Sequence, residues 1–381
     1  ADTAQYTQGV AAGQNVEDYV HTHQPAIAND VVHFVGESVA VVVATSRRVA
    51  EDALELIDID YEELPVVADV AAANDASVIA NEAVPNNVIH RCVRVAHDVD
   101  EPFANAAVVV EDVFYNNRVS ASPMETRGCV VHHEWTTGLI KFWSATQIPG
   151  FLRTMLANFL QIPEHTIEVI TPQVGGGFGQ KAHVHVEELV ICLCARELSQ
   201  PVSWIEDRQE NLLSATHAKH QINTMGIAVD KDGKFLALKN HATTDSGAYN
   251  CFPWSASIEA KIGVGTVTGV YKIPLVHGES LDVTTNKCLI GAYRGVGWSA
   301  NQTAREVLID RAARKLDMSP FEIRRRNVIL PEDFPHTNAT DLLIHEGSFL
   351  ESIDVLERMV DYDAFRQRQK EVRANGKYIG L

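Results

Sequence analysis

Gln173-Val174-Gly175-Gly176-Gly177-Phe178-Gly179-Gln180-Lys181 is the segment of this sequence best suited to chemistry. Four glycines and one aromatic lie between a strand pattern ending at Ile170 and a helix pattern expected over 182–198. Glycine admits backbone conformations closed to other residues and lets a ligand approach the main chain. A helix opening directly after such a loop would aim free N–H groups and the positive end of its dipole at an anion or an oxo group. The bland alternative is a tight strand-to-helix turn. Two phosphate-loop readings are tested by spacing. Gln180 and Ala182 flank Lys181, so a Walker loop, which needs Gly-Lys-Ser/Thr, fails. A dinucleotide fingerprint is met only in relaxed form, from Gly177 to Ala182, and Pro172 breaks the strand that should lead into it. A nucleotide-binding enzyme built on Gly175–Gly179 therefore stays open as a weak alternative.

A second segment, Gly291-Ala292-Tyr293-Arg294-Gly295-Val296-Gly297, frames an arginine with glycines. Such an arginine can reach a buried anion with its fork of donors, or be solvated on a surface turn. A third, Ser122-Pro123-Met124-Glu125-Thr126-Arg127-Gly128, places a Glu and an Arg two apart in extended chain, pointing the same way and expected to pair with each other. Of the 16 histidines, the close pairs His132/His133, His183/His185 and His217/His220 lack the three or four converging ligands that a metal site needs. The chain has no H-E-x-x-H and no G-x-S-x-G, so neither a zincin nor a serine hydrolase is encoded.

The elements that must position these segments follow from periodicity. Val31–Val43 reads as two strands about a Gly-Glu-Ser turn, Ser46 caps a helix, and Ile57–Tyr61 alternates as a strand, which makes a β-β-α-β unit ending near Pro85. Further strands are expected at 108–115, 142–145, 166–170 and 281–285, with a hairpin pairing 222–230 and 235–243. Helices are expected from Pro149 (apolar Leu152, Met155, Leu156, Phe159 and Leu160), over 182–198, over 299–315, and last over 349–360, capped by Ser348. The fold class is α+β: a small N-terminal α/β domain over 1–85 and a larger mixed domain over 86–375. Residues 376–381 look like the start of a strand of a further, absent domain.

Composition narrows the function. A net charge of −18 disfavours a nucleic-acid partner. The densest basic run, Arg324-Arg325-Arg326, reads as a solvated face or a partner contact. No apolar run reaches the length of a membrane span. Six cysteines without a C-x-x-C pair fit reduced thiols and encode no iron–sulfur cluster. The polar opening Ala1-Asp2-Thr3-Ala4-Gln5 lacks the form of a signal peptide, so a cytoplasmic protein is expected.

Taken in order, these segments resemble the large subunit of the xanthine oxidase and aldehyde oxidase family, the molybdenum hydroxylases. Phe34-Val35-Gly36-Glu37-Ser38-Val39-Ala40, Ala50-Glu51-Asp52-Ala53 and Asp60-Tyr61-Glu62-Glu63-Leu64-Pro65 are similar to the family's N-terminal (hammerhead-like) domain. Thr146-Gln147, Gly175–Gly179, Thr285-Asn286 and Tyr293-Arg294-Gly295 are similar to its molybdenum-site loops. The resemblance implies a catalytic subunit that oxidises a substrate carbon with oxygen from water, acting on an aldehyde or an N-heteroaromatic ring. It implies a molybdenum–molybdopterin cofactor, with the cytosine dinucleotide form as one option. Electrons would leave through [2Fe-2S] and FAD on partner chains, an iron–sulfur subunit and a flavin subunit. The second half of the molybdopterin subunit would complete the pocket. Gln147, Phe178 and Arg294 would form the molybdenum environment, with Gly176, Gly177, Gly179 and Gly295 lining the cofactor. Gln147 would hydrogen-bond a ligand of the metal or the pterin, and the backbone at Phe178 and Gly179 would face the oxo group. Gly295 stands where carbon monoxide dehydrogenases of the family place a Cys, which argues against a molybdenum–copper centre. Ala182 replaces the acid, and Val296 the aromatic, usual in purine oxidisers. Ala182, Val296 and Trp298 are the candidates for the substrate pocket. A scaffold subunit that kept the fold and lost the metal is the remaining alternative.

Overall fold

The computed structural model describes residues 17–381, so the polar opening and the first part of the expected N-terminal domain lie outside the described residues. In chain order the elements are α1 (Arg47–Leu54), α2 (Val70–Asp75), β1 (Val88–Ala96), α3 (Asp100–Asn105), β2 (Val108–Asn116), β3 (Val119–Ser120), β4 (Gly128–Glu134) and β5 (Leu139–Ser144). Next come α4 (Pro149–Leu160), β6 (Ile167–Ile170), α5 (Val186–Leu198), β7 (Val202–Ile205), α6 (Arg208–Ser214), β8 (His217–Ala218), β9 (Gln221–Val229), β10 (Phe235–Asp245) and α7 (Ser257–Gly265). The chain then runs through β11 (Leu275–Val283), α8 (Trp298–Lys315), α9 (Pro320–Arg325), β12 (His336–Thr337), β13 (Leu343–Ile344), α10 (Phe349–Val360) and α11 (Tyr362–Ala374).

Two sheet-and-helix layers carry the molecule. A four-stranded sheet, ordered β6-β5-β4-β7, is covered by α4 and α5. The five apolar residues expected to face inward from the helix at Pro149 are all buried there, with Phe142, Val131 and Leu189. A five-stranded sheet, ordered β1-β11-β10-β9-β2, packs against α7 and α8. Its core joins Met225, Ile227 and Leu238 to Ala304, Leu308 and Ala312. The expected hairpin is β9–β10, antiparallel with Leu238 opposite Ile227, and Lys231-Asp232-Gly233-Lys234 turns between its strands. Mixed sheets with helices on their faces make an α+β architecture.

Several elements differ from expectation. Residues 31–43 and 57–61 form no strand, and 31–43 bends and turns at 34–36, so no β-β-α-β unit closes among the described residues. A strand exists only where a neighbour accepts its hydrogen bonds, and Val32, Val41, Val43, Ile57 and Ile59 are instead exposed. Ser46 does cap α1, accepting from the Val49 N–H. The helix expected from Ala182 begins four residues later. His185 is extended and caps it, with its N–H bonded to the Glu188 carboxylate at 3.2 Å. Ser348 makes no side-chain cap to α10, and α10 is not the last helix. Asp361, in the left-handed region, turns the chain and caps α11. Residues 376–381 form no strand. The basic run is not a solvated face: Arg324 pairs with Glu306 and Asp310, Arg325 with Asp354 and Glu357, and Arg326 with Glu322.

Candidate active site

The glycine loop leaves the end of β6, Gln147 lies on the turn from β5 into α4, and Arg294 lies just ahead of α8. The fold brings all three together. The Gly179 N–H donates to Gln147 Oε1 at 3.1 Å, and the Arg294 N–H donates to the Phe178 carbonyl at 2.8 Å. The Gln147 main chain is fixed as well, its N–H donating to the Lys181 carbonyl at 2.9 Å. Contact is close enough to demand glycine. A Cβ on Gly177 would lie 2.4 Å from Gln147 Oε1, and one on Gly179, where φ is +107°, would lie 2.5 Å from the Ala292 carbonyl oxygen.

These bonds orient the donors. Only the amide oxygen of Gln147 can accept from Gly179, so its NH2 is turned outward and has no acceptor among the described residues. The Gly176, Gly177 and Phe178 N–H groups likewise bond nothing described. The N–H at Gly179 is already committed to Gln147 and the Phe178 carbonyl to Arg294, so the part of the loop free to meet a ligand is one step earlier than expected. The helix dipole contributes nothing here, because α5 starts only at Val186 and carries Glu187 and Glu188 in its first turn. Gln147, Phe178 and Arg294 are exposed side by side, forming an open wall rather than an enclosed cavity.

The wall is held from behind by residues whose roles the sequence did not reveal. His183 Nε2 accepts from the Ala292 N–H at 2.7 Å, and burial pulls its pKa down to about 4, keeping the ring neutral and able to accept. Lys219 reaches under the Tyr293–Val296 turn, donating to the carbonyls of Tyr293 at 3.3 Å and of Val296. The buried Glu259 lies 3.8 Å from that ammonium; burial raises its carboxyl to about 7 against the pull of Lys219. Gln180 is anchored by Asn211, whose amide also bonds Glu206.

Glu125 and Arg127 do not pair with each other. Glu125 bonds Lys181 at 2.6 Å, whereas Arg127 is buried between Glu187 and Glu206. Thr285 and Asn286 do not reach the glycine loop. Thr285 donates to Asp245, and Asn286 ties Val67, His33 and Ala80 to the body of the molecule. Of the pocket candidates, Ala182 is half-buried behind the loop, Val296 sits in the Arg294 turn with φ +46°, and Trp298 is exposed at the start of α8.

Among the described residues no group of three or more His, Cys, Asp or Glu converges to hold a metal ion. Amide donors without an acceptor, beside an arginine with no carboxylate partner among the described residues, suit an anionic or oxo-bearing cofactor. All six cysteines are unpaired, and no helix among the described residues is long and apolar enough to cross a membrane.

Comparison with known proteins identifies the family. Residues 80–328 match the family model of the molybdopterin cofactor-binding domain, and residues 3–65 that of the aldehyde oxidase and xanthine dehydrogenase a/b hammerhead domain. The nicotine 6-hydroxylase large subunit of Paenarthrobacter nicotinovorans is 46% identical over 382 residues, which is 100% of this chain and 47% of that protein. The carbon monoxide dehydrogenase large chain of Afipia carboxidovorans is 32% identical over 91% of this chain and 45% of its own length. Among solved structures, quinoline 2-oxidoreductase from Pseudomonas putida 86 superposes with a TM-score of 0.95 at 56% identity, covering 98% of this chain and 48% of that one. The chain thus spans about half the length of these relatives. It belongs to the xanthine oxidase family and carries that family's molybdopterin cofactor-binding domain.

Proposed function

We propose that this chain supplies one wall of the molybdenum site of a hydroxylase that inserts oxygen from water into a C–H bond of an N-heteroaromatic ring. The observation that carries the reading is the pair of bonds Gly179 N–H to Gln147 Oε1 and Arg294 N–H to Phe178 carbonyl. Together they hold the loop against Gln147 and the Arg294 turn, and leave the Gln147 NH2 and the N–H groups of 176–178 without a partner among the described residues. The relatives named for nicotine and quinoline favour the ring over the aldehyde. Gly295 beside Arg294 offers no thiolate for a second metal, which sets this site apart from the carbon monoxide enzymes.

When bound, the molybdopterin centre supplies the two-electron oxidation and the oxygen transfer. The chain's own residues bind and orient. Gln147 NH2 and the N–H groups at 176–178 are fixed donors that stabilise negative charge without reorganising. Arg294 adds a full positive charge beside them. Val296 and Trp298 offer apolar surface to the substrate's approach. The rest of the pocket, the cytosine dinucleotide form of the pterin, and [2Fe-2S] and FAD on partner chains complete a cytoplasmic electron-transfer assembly in this reading.

The test is metal and pterin analysis of the complete purified complex, joined to dye-linked turnover of N-heterocycles and of aldehydes. Stoichiometric molybdenum and turnover of an N-heterocycle are expected. Bound nucleotide without molybdenum would overturn the cofactor reading, and turnover of aldehydes alone would overturn the substrate class.

A further inference from the structure

Seven residues with four glycines, Gly175 to Lys181, ought to be a loose segment, since each glycine widens the conformations to be frozen out. One carboxylate meets both of its ends. Glu125 Oε2 accepts from the Gly175 N–H at 2.8 Å and from Lys181 Nζ at 2.6 Å. The Glu125 N–H also donates to the Gly175 carbonyl at 3.2 Å. We propose that Glu125 is a positioning residue, a clip whose carboxylate closes the glycine loop end to end and so sets the direction of the donors at Gln147 and at 176–178.

Three features make the clip more than a surface ion pair. The Lys181 side chain is 1% exposed and that of Glu125 41%, so the ammonium is buried and the carboxylate caps it from the open side. A buried ammonium stripped of its partner is strongly unfavourable, so the pair holds its geometry tightly. The fit against the loop is close, since a Cβ on Gly175 would lie 2.7 Å from the Glu125 Cβ. The Lys181 carbonyl, in turn, accepts the Gln147 main-chain N–H, which links Glu125 through Lys181 to the backbone that carries the Gln147 side chain. Glu125 is itself anchored, because Arg208 donates to the carbonyls of Pro123 and Met124 just before it. Burial pushes the Glu125 carboxyl up, but the Lys181 and Gly175 bonds outweigh it and hold it below its ordinary value, so it is ionised at neutral pH.

The inference rests on the loop being the cofactor wall, and its test separates the two. Glu125→Ala and Glu125→Gln are made in the complete complex. Hydrogen exchange is followed over 173–182, with α5 as internal reference, and kcat per bound molybdenum and KM are measured. Glu125→Ala should raise exchange in the loop by about tenfold or more, the factor for one lost charged hydrogen bond, leaving α5 unchanged. The value of kcat per molybdenum should fall by a similar factor with KM little changed. Glu125→Gln keeps an acceptor for Gly175 and loses the ion pair, so it should fall between. Unchanged loop exchange in both variants, exchange raised throughout the molecule, or kcat per molybdenum unaltered while the loop loosens would each overturn the clip. If the wild-type complex holds no molybdenum, the cofactor reading falls, and exchange alone still decides whether Glu125 closes the loop.

Discussion

Gly177 and Gln147 are in contact through the space where a methyl group would sit: a Cβ at 177 would lie 2.4 Å from Gln147 Oε1. Gly177→Ala must therefore push the amide aside. The atom displaced is the far end of a flexible side chain, so thermal stability should change by no more than about 1 kcal/mol. Turnover per bound molybdenum should fall at least tenfold. Full turnover in a folded Gly177→Ala protein would show that the Gln147 amide has no role at this wall.

Gly179→Ala should behave differently. Its φ of +107° is strained for any side chain, and its Cβ would meet the rigid Ala292 carbonyl at 2.5 Å. A loss of roughly 1–3 kcal/mol in unfolding free energy is expected, and the Arg294 turn should separate from the loop. Chemical denaturation of the two alanine variants side by side checks the contrast; equal stabilities would contradict it.

Gln147→Ala leaves Gly179 without its acceptor and removes the outward NH2. A fall in turnover of about a hundred- to a thousandfold, the range for one fixed charge-stabilising donor, is expected with the fold intact by circular dichroism. Unchanged turnover would remove Gln147 from the site.

Glu188 gives a pH prediction. Burial raises its carboxyl to about 7 against the opposing Ser144 hydroxyl and His185 N–H. The unfolded chain releases that proton near the ordinary glutamate value of about 4.3. Between the two values the native state binds the extra proton, so Glu188's contribution to stability is complete below about 4.3 and is lost as pH rises through about 7. Glu188→Gln, which still caps α5, should gain on the wild type across that window by a few kcal/mol at most, at about 1.4 kcal/mol per unit. A stability difference independent of pH from 4 to 8 would contradict this.

The parts of the site legible in the sequence are those forced by close approach. Gly179 stands where a side chain would meet rigid backbone and Gly177 where one would displace Gln147, and a glycine cluster announces such close approach without any structure. α4 reads directly because its apolar face is buried at helical spacing, and β9–β10 because two apolar runs flank the turn Lys231-Asp232-Gly233-Lys234. What stayed hidden depends on distant partners. Lys219 and His183 act on loops 74 and 109 residues away, and nothing local distinguishes them from other buried polar residues. Residues 57–61 have the alternation of a strand, but alternation specifies a face, not a neighbour to bond. The helix dipole was misplaced because His185 and Glu188 cap α5 later than its apolar pattern suggests. Thr285 and Asn286 resemble a molybdenum-site loop in sequence, whereas their side chains bond inside the fold.

The most direct test of the central claim is a molybdenum-edge anomalous difference map of the complete native complex. One strong peak should lie against the open face formed by the Gln147 amide, the main chain at 176–178 and Arg294. Stoichiometric molybdenum by metal analysis with the peak elsewhere, or with none at this face, would contradict it.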